Sequence, residues 1–229
     1  DPTSYGLACL ELEAADSGIR SLVSVQGSLA MYAIHAFGSE AQRQEWLPGM
    51  AAGELIGCFG LTEPDFGSNP SGMRTFAKRD GSGDTADWVL NGSKMWITNG
   101  TQADWICLLC NTSDGPAHKN KSLIIVPLKQ NGQRTPGVQV QKIKKLGMFC
   151  SDTAQIFFDD VRVPVRHRIG EDGMGFIYQM KQFQEERLDG AVRRLSCTDL
   201  IDETAQYLRQ RMAFGNPLLD NQFIQYKLA

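Results

Sequence analysis

Trp88-Val-Leu-Asn-Gly-Ser-Lys-Met-Trp-Ile-Thr98 is the stretch from which the fold is read. Asn91-Gly92 supplies the positive φ angles of a tight turn between two runs of apolar and aromatic residues, so the spacing predicts a β-hairpin over residues 88–98. In its second arm, alternation sends Trp96 and Thr98 to one face and Met95 and Ile97 to the other. The second pair is expected to pack inward. The first presents a flat aromatic ring beside a hydroxyl, which suits a bound ring system or packing on a neighbouring domain equally well.

Working outward, residues 57–164 keep this texture. Further strands are expected near 104–110, 122–127, 138–142 and 153–163, spaced as in an all-β sandwich or barrel, with polar loops at 112–121 and 129–136. On either side the pattern is helical. Ser39 with Gln42 forms a capping box for a helix over 40–47 that Pro48-Gly49 should end, and residues 19–36, almost without charge, read as a helix buried on most sides. Helical spacing returns near residue 173 and runs to Phe214. Gly215-Asn216-Pro217 interrupts it, and a last helix begins near Asn221 and stops after two or three turns, the pattern of a chain cut within a domain. The expectation is an α+β chain: an N-terminal helical domain (1–56), a middle β-barrel or sandwich domain (57–165) and the start of a C-terminal helical bundle (166–229).

Composition narrows the partners. The chain has 229 residues, 42% of them apolar and 21% charged, with a net charge of −3. That balance describes a soluble protein and argues against nucleic acid, whose recognition needs clustered Lys and Arg. No apolar run approaches the roughly 20 residues of a membrane helix, and the N-terminus carries no signal-peptide pattern. The six cysteines are scattered through apolar segments, as core thiols in a reducing compartment are. Cys107-Leu-Leu-Cys110 lies in a predicted strand, whose alternation sends the two thiols to opposite faces, and the three histidines have no ligand-spaced partners, so no metal site is expected.

Two further segments carry chemistry. In Phe59-Gly-Leu-Thr-Glu-Pro-Asp-Phe-Gly-Ser68 the chain leaves a strand and turns at Pro64. Gly67 permits close backbone approach, and Thr62 and Ser68 set hydroxyls beside exposed amides, a combination suited to a pyrophosphate, a flavin edge or a locally bonded turn. In Gln184-Glu-Glu-Arg-Leu188, Glu186 falls off the apolar stripe of Ile177, Met180, Gln184, Leu188, Ala191 and Leu195, which makes it part of a solvated face or a base in a cleft. Arg187 falls near that stripe and needs a partner or an anionic ligand. Gly173-Met-Gly175 lacks a leading strand and a third glycine, and reads as a helix-entry loop.

Together these segments resemble the acyl-CoA dehydrogenase family. The TEP loop ending in Gly67-Ser68, followed some thirty residues later by Asn91-Gly92, Lys94 and Trp96-Ile-Thr98, is similar to that family's flavin signature, and Asn69-Pro70 stands where the family usually has Asp. The resemblance implies FAD, with Phe59, Leu61, Thr62, Gly67, Ser68, Trp96 and Thr98 at the cofactor and Ser68 also near the acyl-CoA. Arg211-Met-Ala-Phe214 with Gln222 resembles the family segment that reaches the flavin of a neighbouring subunit, which implies a homo-oligomer. The implied reaction moves an α-proton of an acyl-CoA thioester to a base and a β-hydride to flavin N5. Glu186 matches the base of isovaleryl- and long-chain-type relatives, and Arg187 the CoA side. The segment 16–26 resembles glutaryl-CoA dehydrogenases, with Arg20 at the substrate's distal carboxylate and Ser21 beside it, whereas Ser151 opens a segment more like branched, longer-chain or citronellyl-type relatives. The family implies electron-transferring flavoprotein as acceptor, and a mitochondrial matrix location in a eukaryote or a cytoplasmic one in a bacterium. A truncated, non-catalytic flavin- or acyl-CoA-binding relative, or partner subunit, and an acyl-CoA oxidase stand as alternatives.

Overall fold

The structure is a computed structural model that describes residues 2–192 and 197–229. It divides into two units, residues 16–186 and residues 1–15 with 187–229, each described by itself.

In the smaller unit, α1 (Pro2–Ala15) precedes the rest of the chain. The larger unit opens at Asp16, whose carboxylate accepts the amides of Gly18 and Ile19 and caps α2 (Ser17–Ser24). That helix continues through a π segment, Val25–Met31, into α3 (Tyr32–Phe37), so the expected 19–36 helix is present with a widened middle. From the π segment the buried Gln26 carboxamide donates to the carbonyls of Met50 and Leu55 and accepts the Gly57 amide, tying the helix to the start of the sheet. The expected capping box is present: Ser39 Oγ accepts the Gln42 amide and Gln42 Oε1 the Ser39 amide. The helix it starts, α4 (Glu40–Ala51), passes through Pro48 instead of ending there. Proline forgoes one bond, while the next turn buries Met50 to 2% exposure and returns the Ala52 amide to the Pro48 carbonyl.

Ten strands follow: β1 (Gly57–Gly60), β2 (Phe76–Asp80), β3 (Asp87–Thr98), β4 (Trp105–Asn111), β5 (Lys121–Pro127), β6 (Lys129–Gln130), β7 (Gln133–Arg134), β8 (Val138–Lys142), β9 (Thr153–Pro164) and β10 (Arg168–Ile169). Eight form one sheet in the order β10-β5-β4-β2-β3-β9-β8, with β1 parallel to β4, while β6 and β7 make a separate ribbon. Among the described residues the sheet ends at β8 and β10 and does not close, so of the two expected forms it is the sandwich-like one. β4 and β5 are buried on both faces, as their unbroken apolar runs require. Ile106, Leu108 and Cys110 join one core with Leu90, Ile97, Ile156 and Val163, and Trp105, Cys107 and Leu109 join another with Ala30, Ile34 and Met50 from the helices. The two thiols thus face opposite ways, and burial pushes both up, Cys110 to about 12.

The expected hairpin over 88–98 is a single strand. β3 runs through Asn91-Gly92, pairing with β2 on one side and β9 on the other, and the hairpin partners are instead β2 and β3. Gly92, with φ of 139°, sits at a register shift, and a Cβ there would lie 2.5 Å from Thr75 Oγ1. Its freedom serves a bulge and a close approach, not a turn.

A second correction concerns α5 (Gly175–Val192). Its inward face is Gly175, Gln179 and Gln182, continued by the half-buried Glu186, whereas Gln184 and Ala191 of the expected stripe are exposed. Leu195 lies outside the described residues. Polar side chains on the buried face defeat a stripe drawn from hydrophobicity. Gln182 donates 2.8 Å to the Leu29 carbonyl of the π segment, while both amide atoms of the fully buried Gln179 lack a partner among the described residues.

The smaller unit continues with α6 (Cys197–Gln210), a ribbon of β11 (Met212–Ala213) and β12 (Asn216–Pro217), and α7 (Gln222–Leu228), which Asn221 caps. The helix expected to reach Phe214 ends at Gln210, because Phe214 and Gly215, both at positive φ, turn the ribbon. No helix among the described residues is long and apolar enough to cross a membrane.

Candidate functional site

β1 leaves the sheet after Gly60, and two successive carbonyls there are taken up by two successive residues of β3. The Leu61 carbonyl accepts Lys94 Nζ at 2.9 Å, and the Thr62 carbonyl accepts the Met95 amide at 2.8 Å. Reciprocal backbone bonds between Glu63 and Phe66 then close the turn at Pro64-Asp65, leaving Gly67 and Ser68 exposed. The two motifs that sequence placed thirty residues apart are therefore hydrogen-bonded neighbours.

Strict alternation fails at Trp96. Ile97 pairs with Ala154 and Lys94 with Ile156, so Met95 and Trp96 together oppose Gln155 in a bulge, and Trp96 adopts φ of 62°. A left-handed backbone costs a bulky residue about 1–2 kcal/mol. It turns the indole outward, 55% exposed, while Ile97 is buried as expected, Met95 is half-buried and Thr98 remains accessible. Among the described residues the hydroxyls of Thr62, Ser68 and Thr98 bond to no protein group. An exposed indole on a backbone held in a strained form, with unbonded hydroxyls on the same strand and on the loop bonded to it, fits a flat, heteroatom-bearing ring system such as a flavin. Phe59 is buried in the core behind this surface, and Leu61 is half-buried at its edge.

Ser151, Arg20 and Ser21 lie on segments that Asn99, next to Thr98, holds together. The Ser151 amide lies where a Cβ on Gly18 would sit, 2.6 Å away, so the segment 150–151 rests on the start of α2. Arg20 and Ser21 are both buried there, and Arg20 Nη1 donates to Ser24 Oγ at 3.1 Å. Asn99, 1% exposed, gathers these parts: its amide donates to the Asp152 carbonyl, and its side chain to the carbonyls of Leu22 and Gly57. Glu186 is half-buried, with Oε2 shut off from solvent, and thus is not on a solvated face.

Arg187, Arg211, Phe214 and Gln222 belong to the smaller unit and are exposed. Exposure corrects the expectation that Arg187 falls near an apolar stripe.

Sequence reading passed over the groups beneath the site. Lys94 is 0% exposed and Glu63 6%, and they meet at 3.0 Å. Burial pushes Glu63 up, but the Lys94 ammonium and the amides of Arg74 and Thr75 outweigh it and hold the carboxyl below its ordinary range. Burial pushes Lys94 down, and Glu63 opposes it. A signal existed: a lysine inside an otherwise apolar strand needs a partner, and Glu63 was the acid in the adjoining motif.

Known proteins match this arrangement along nearly the whole chain. The family described as acyl-CoA dehydrogenase matches with its N-terminal domain over residues 1–54, its middle domain over 58–161 and its C-terminal domain over 173–229. The mitochondrial long-chain specific acyl-CoA dehydrogenase of Rattus norvegicus is 40% identical over 210 residues, 90% of this chain and 47% of its own length. A glutaryl-CoA dehydrogenase from Mycobacterium smegmatis, solved in complex with FADH2, superposes with a TM-score of 0.86 at 45% identity, over 100% of this chain and 56% of that one. A chain in the structure of the electron transferring flavoprotein of Acidaminococcus fermentans gives a TM-score of 0.87 at 32% identity, over 100% and 58%. The chain spans about half the length of the relatives it matches. With three successive domains of one family in order, and with that family's paired motifs joined in space, this chain belongs to the acyl-CoA dehydrogenases.

Proposed function

We propose that the chain carries the FAD site of an enzyme that dehydrogenates an acyl-CoA thioester between its α and β carbons. The observation that carries this reading is the junction of the TEP loop with the Trp96 bulge, where the Leu61 and Thr62 carbonyls bond to Lys94 and Met95 beside an exposed indole. Bound FAD supplies the acceptor for the β-hydride. The protein does the rest. Trp96 backs the ring, Thr62 and Thr98 donate to its heteroatoms, and Gly67 and Ser68 approach the pyrophosphate, with Phe59 and Leu61 fixing the strand behind them. Glu186 takes the α-proton from a half-buried position, with one oxygen shut off from solvent. Ser151 and Ser68 line the path of the CoA ester, and Arg187 serves the CoA side. The buried Arg20, beside Ser21, suits an acyl group ending in a carboxylate, which a guanidinium binds in bidentate fashion.

Arg211, Phe214 and Gln222 are assigned to the FAD of a neighbouring subunit, so the working form is a homo-oligomer. Electron-transferring flavoprotein is the proposed acceptor, a reading supported by the likeness to a chain in such a structure. The proposed compartment is the mitochondrial matrix for a eukaryotic source and the cytoplasm for a bacterial one.

The test is anaerobic mixing of the FAD-loaded protein with glutaryl-, isovaleryl- and long-chain acyl-CoAs. Bleaching of the flavin band is expected with at least one, and Glu186→Gln should slow it by roughly 10²–10⁴-fold while the band itself persists. A band unchanged by every acyl-CoA contradicts the dehydrogenation reading and favours binding without turnover.

A further inference from the structure

We propose that the buried Lys94–Glu63 ion pair is a positioning device that sets the spacing between the two cofactor motifs, an inference that rests on the FAD reading above. Lys94 Nζ has three donors: one goes to Glu63 Oε1 at 3.0 Å, one to the Leu61 carbonyl at 2.9 Å, and the ammonium also touches Met73 Sδ at 3.6 Å. Glu63 is equally occupied. Its Oε1 also accepts the Thr75 amide at 2.9 Å, and its Oε2 the Arg74 amide at 2.7 Å. Thr75 in turn donates from Oγ1 to the Ser93 carbonyl, one residue before Lys94. The pair therefore closes a ring of contacts through the exit of β1, the start of β2 and the middle of β3.

Stability alone is a poor reason for such a pair, because well-packed apolar residues of similar volume are often as stabilising as a buried ion pair. What apolar residues cannot do is hold a carbonyl at a fixed direction. Lys94 holds that of Leu61, immediately before Thr62, and its neighbour Met95 holds that of Thr62. The first hold lies just before the Trp96 bulge and the second is at its first residue, so the hydroxyl of Thr62 and the indole of Trp96 take their mutual distance from this pair. Lys94 and Glu63 are positioning residues and touch neither substrate nor cofactor.

The experiment measures FAD affinity by fluorescence titration of flavin-depleted protein, and amide exchange over residues 61–68 and 94–98 before FAD is added. Lys94→Met keeps length and removes charge; Glu63→Gln, the milder change, keeps an acceptor for Lys94 and serves if the first variant does not fold. Either variant is expected to weaken FAD binding by about tenfold or more and to speed exchange in the two motif segments while β4 keeps its protection, and Lys94→Arg should recover part of the affinity. A folded variant that binds FAD within about twofold of the parent, with unchanged exchange in those segments, overturns the inference. So does loss of protection spread evenly over the sheet, which marks a merely structural pair. Failure of the parent protein to take FAD at all would instead overturn the cofactor reading on which the inference rests.

Discussion

At the scale of residues, accessible side chains were easier to read from the sequence than buried polar ones. Thr62, Ser68, Trp96 and Thr98 stand out in the sequence as hydroxyls and an aromatic with a use at a surface, and the structure leaves all four accessible. Lys94 was passed over despite its place in a strand, and Gln179 gave no signal at all, because an amide side chain in an amphipathic pattern reads as solvent-facing until the fold shows otherwise. Gln179 yields a direct prediction. Its carboxamide is buried with neither atom partnered among the described residues, so Gln179→Met, close in volume and without the amide, should raise stability by about 1–2 kcal/mol in urea unfolding. A loss of that size would mean that something occupies the amide in solution. For Arg20, truncation to Ala should depress turnover of dicarboxylic acyl-CoAs far more than of monocarboxylic ones; equal loss with both classes would count against the carboxylate assignment.

At the scale of elements, strand and helix existence followed from periodicity, and the errors sit where backbone geometry departs from a regular period. Asn91-Gly92 has the composition of a hairpin turn, yet positive φ also serves a bulge, and only pairing with β2 and β9 together decides between them. Gly92→Ala should therefore cost about 1–3 kcal/mol, since the added Cβ meets the Thr75 backbone and the residue keeps φ of 139°. Near-neutral unfolding of that variant would mean that the bulge relaxes. Likewise α5 was assigned its inward face by apolar residues, whereas the face that packs carries Gln179 and Gln182, the second of which bonds to the π segment.

The short turn after β9 gives a pH prediction. His167 is buried against Trp46, with Nδ1 bonded to the Ile125 carbonyl and with Arg166 and Glu45 nearby, and burial holds its pKa below the ordinary value despite that bond. The unfolded imidazole gains its proton near pH 6.5, the folded one at lower pH, so the unfolded state binds more protons between the two. Stability from this group is complete above about pH 6.5 and is lost as pH falls through the folded pKa. His167→Asn, which preserves a donor to Ile125, should flatten that slope by up to about 1.4 kcal/mol per pH unit, read from urea midpoints across pH 5–7.

At the scale of the whole molecule, the order of helices, sheet and helices was readable because each texture is long and its boundaries carry turn residues. What joins the distant motifs was not, since Lys94, Asn99 and Gln182 act across the chain and their partners are fixed only by topology. The central claim is that the TEP loop and the Trp96 bulge make one flavin seat. It is tested most directly by titrating the flavin-depleted protein with FAD and following quenching of flavin fluorescence, alongside Trp96→Ala and the double variant Thr62→Val, Thr98→Val. The parent is predicted to bind with one saturable site, and each variant to lose affinity by about tenfold or more, on the scale of a lost stacking or hydrogen-bonding contact. Binding of equal strength in all three would place the cofactor elsewhere and contradict the account.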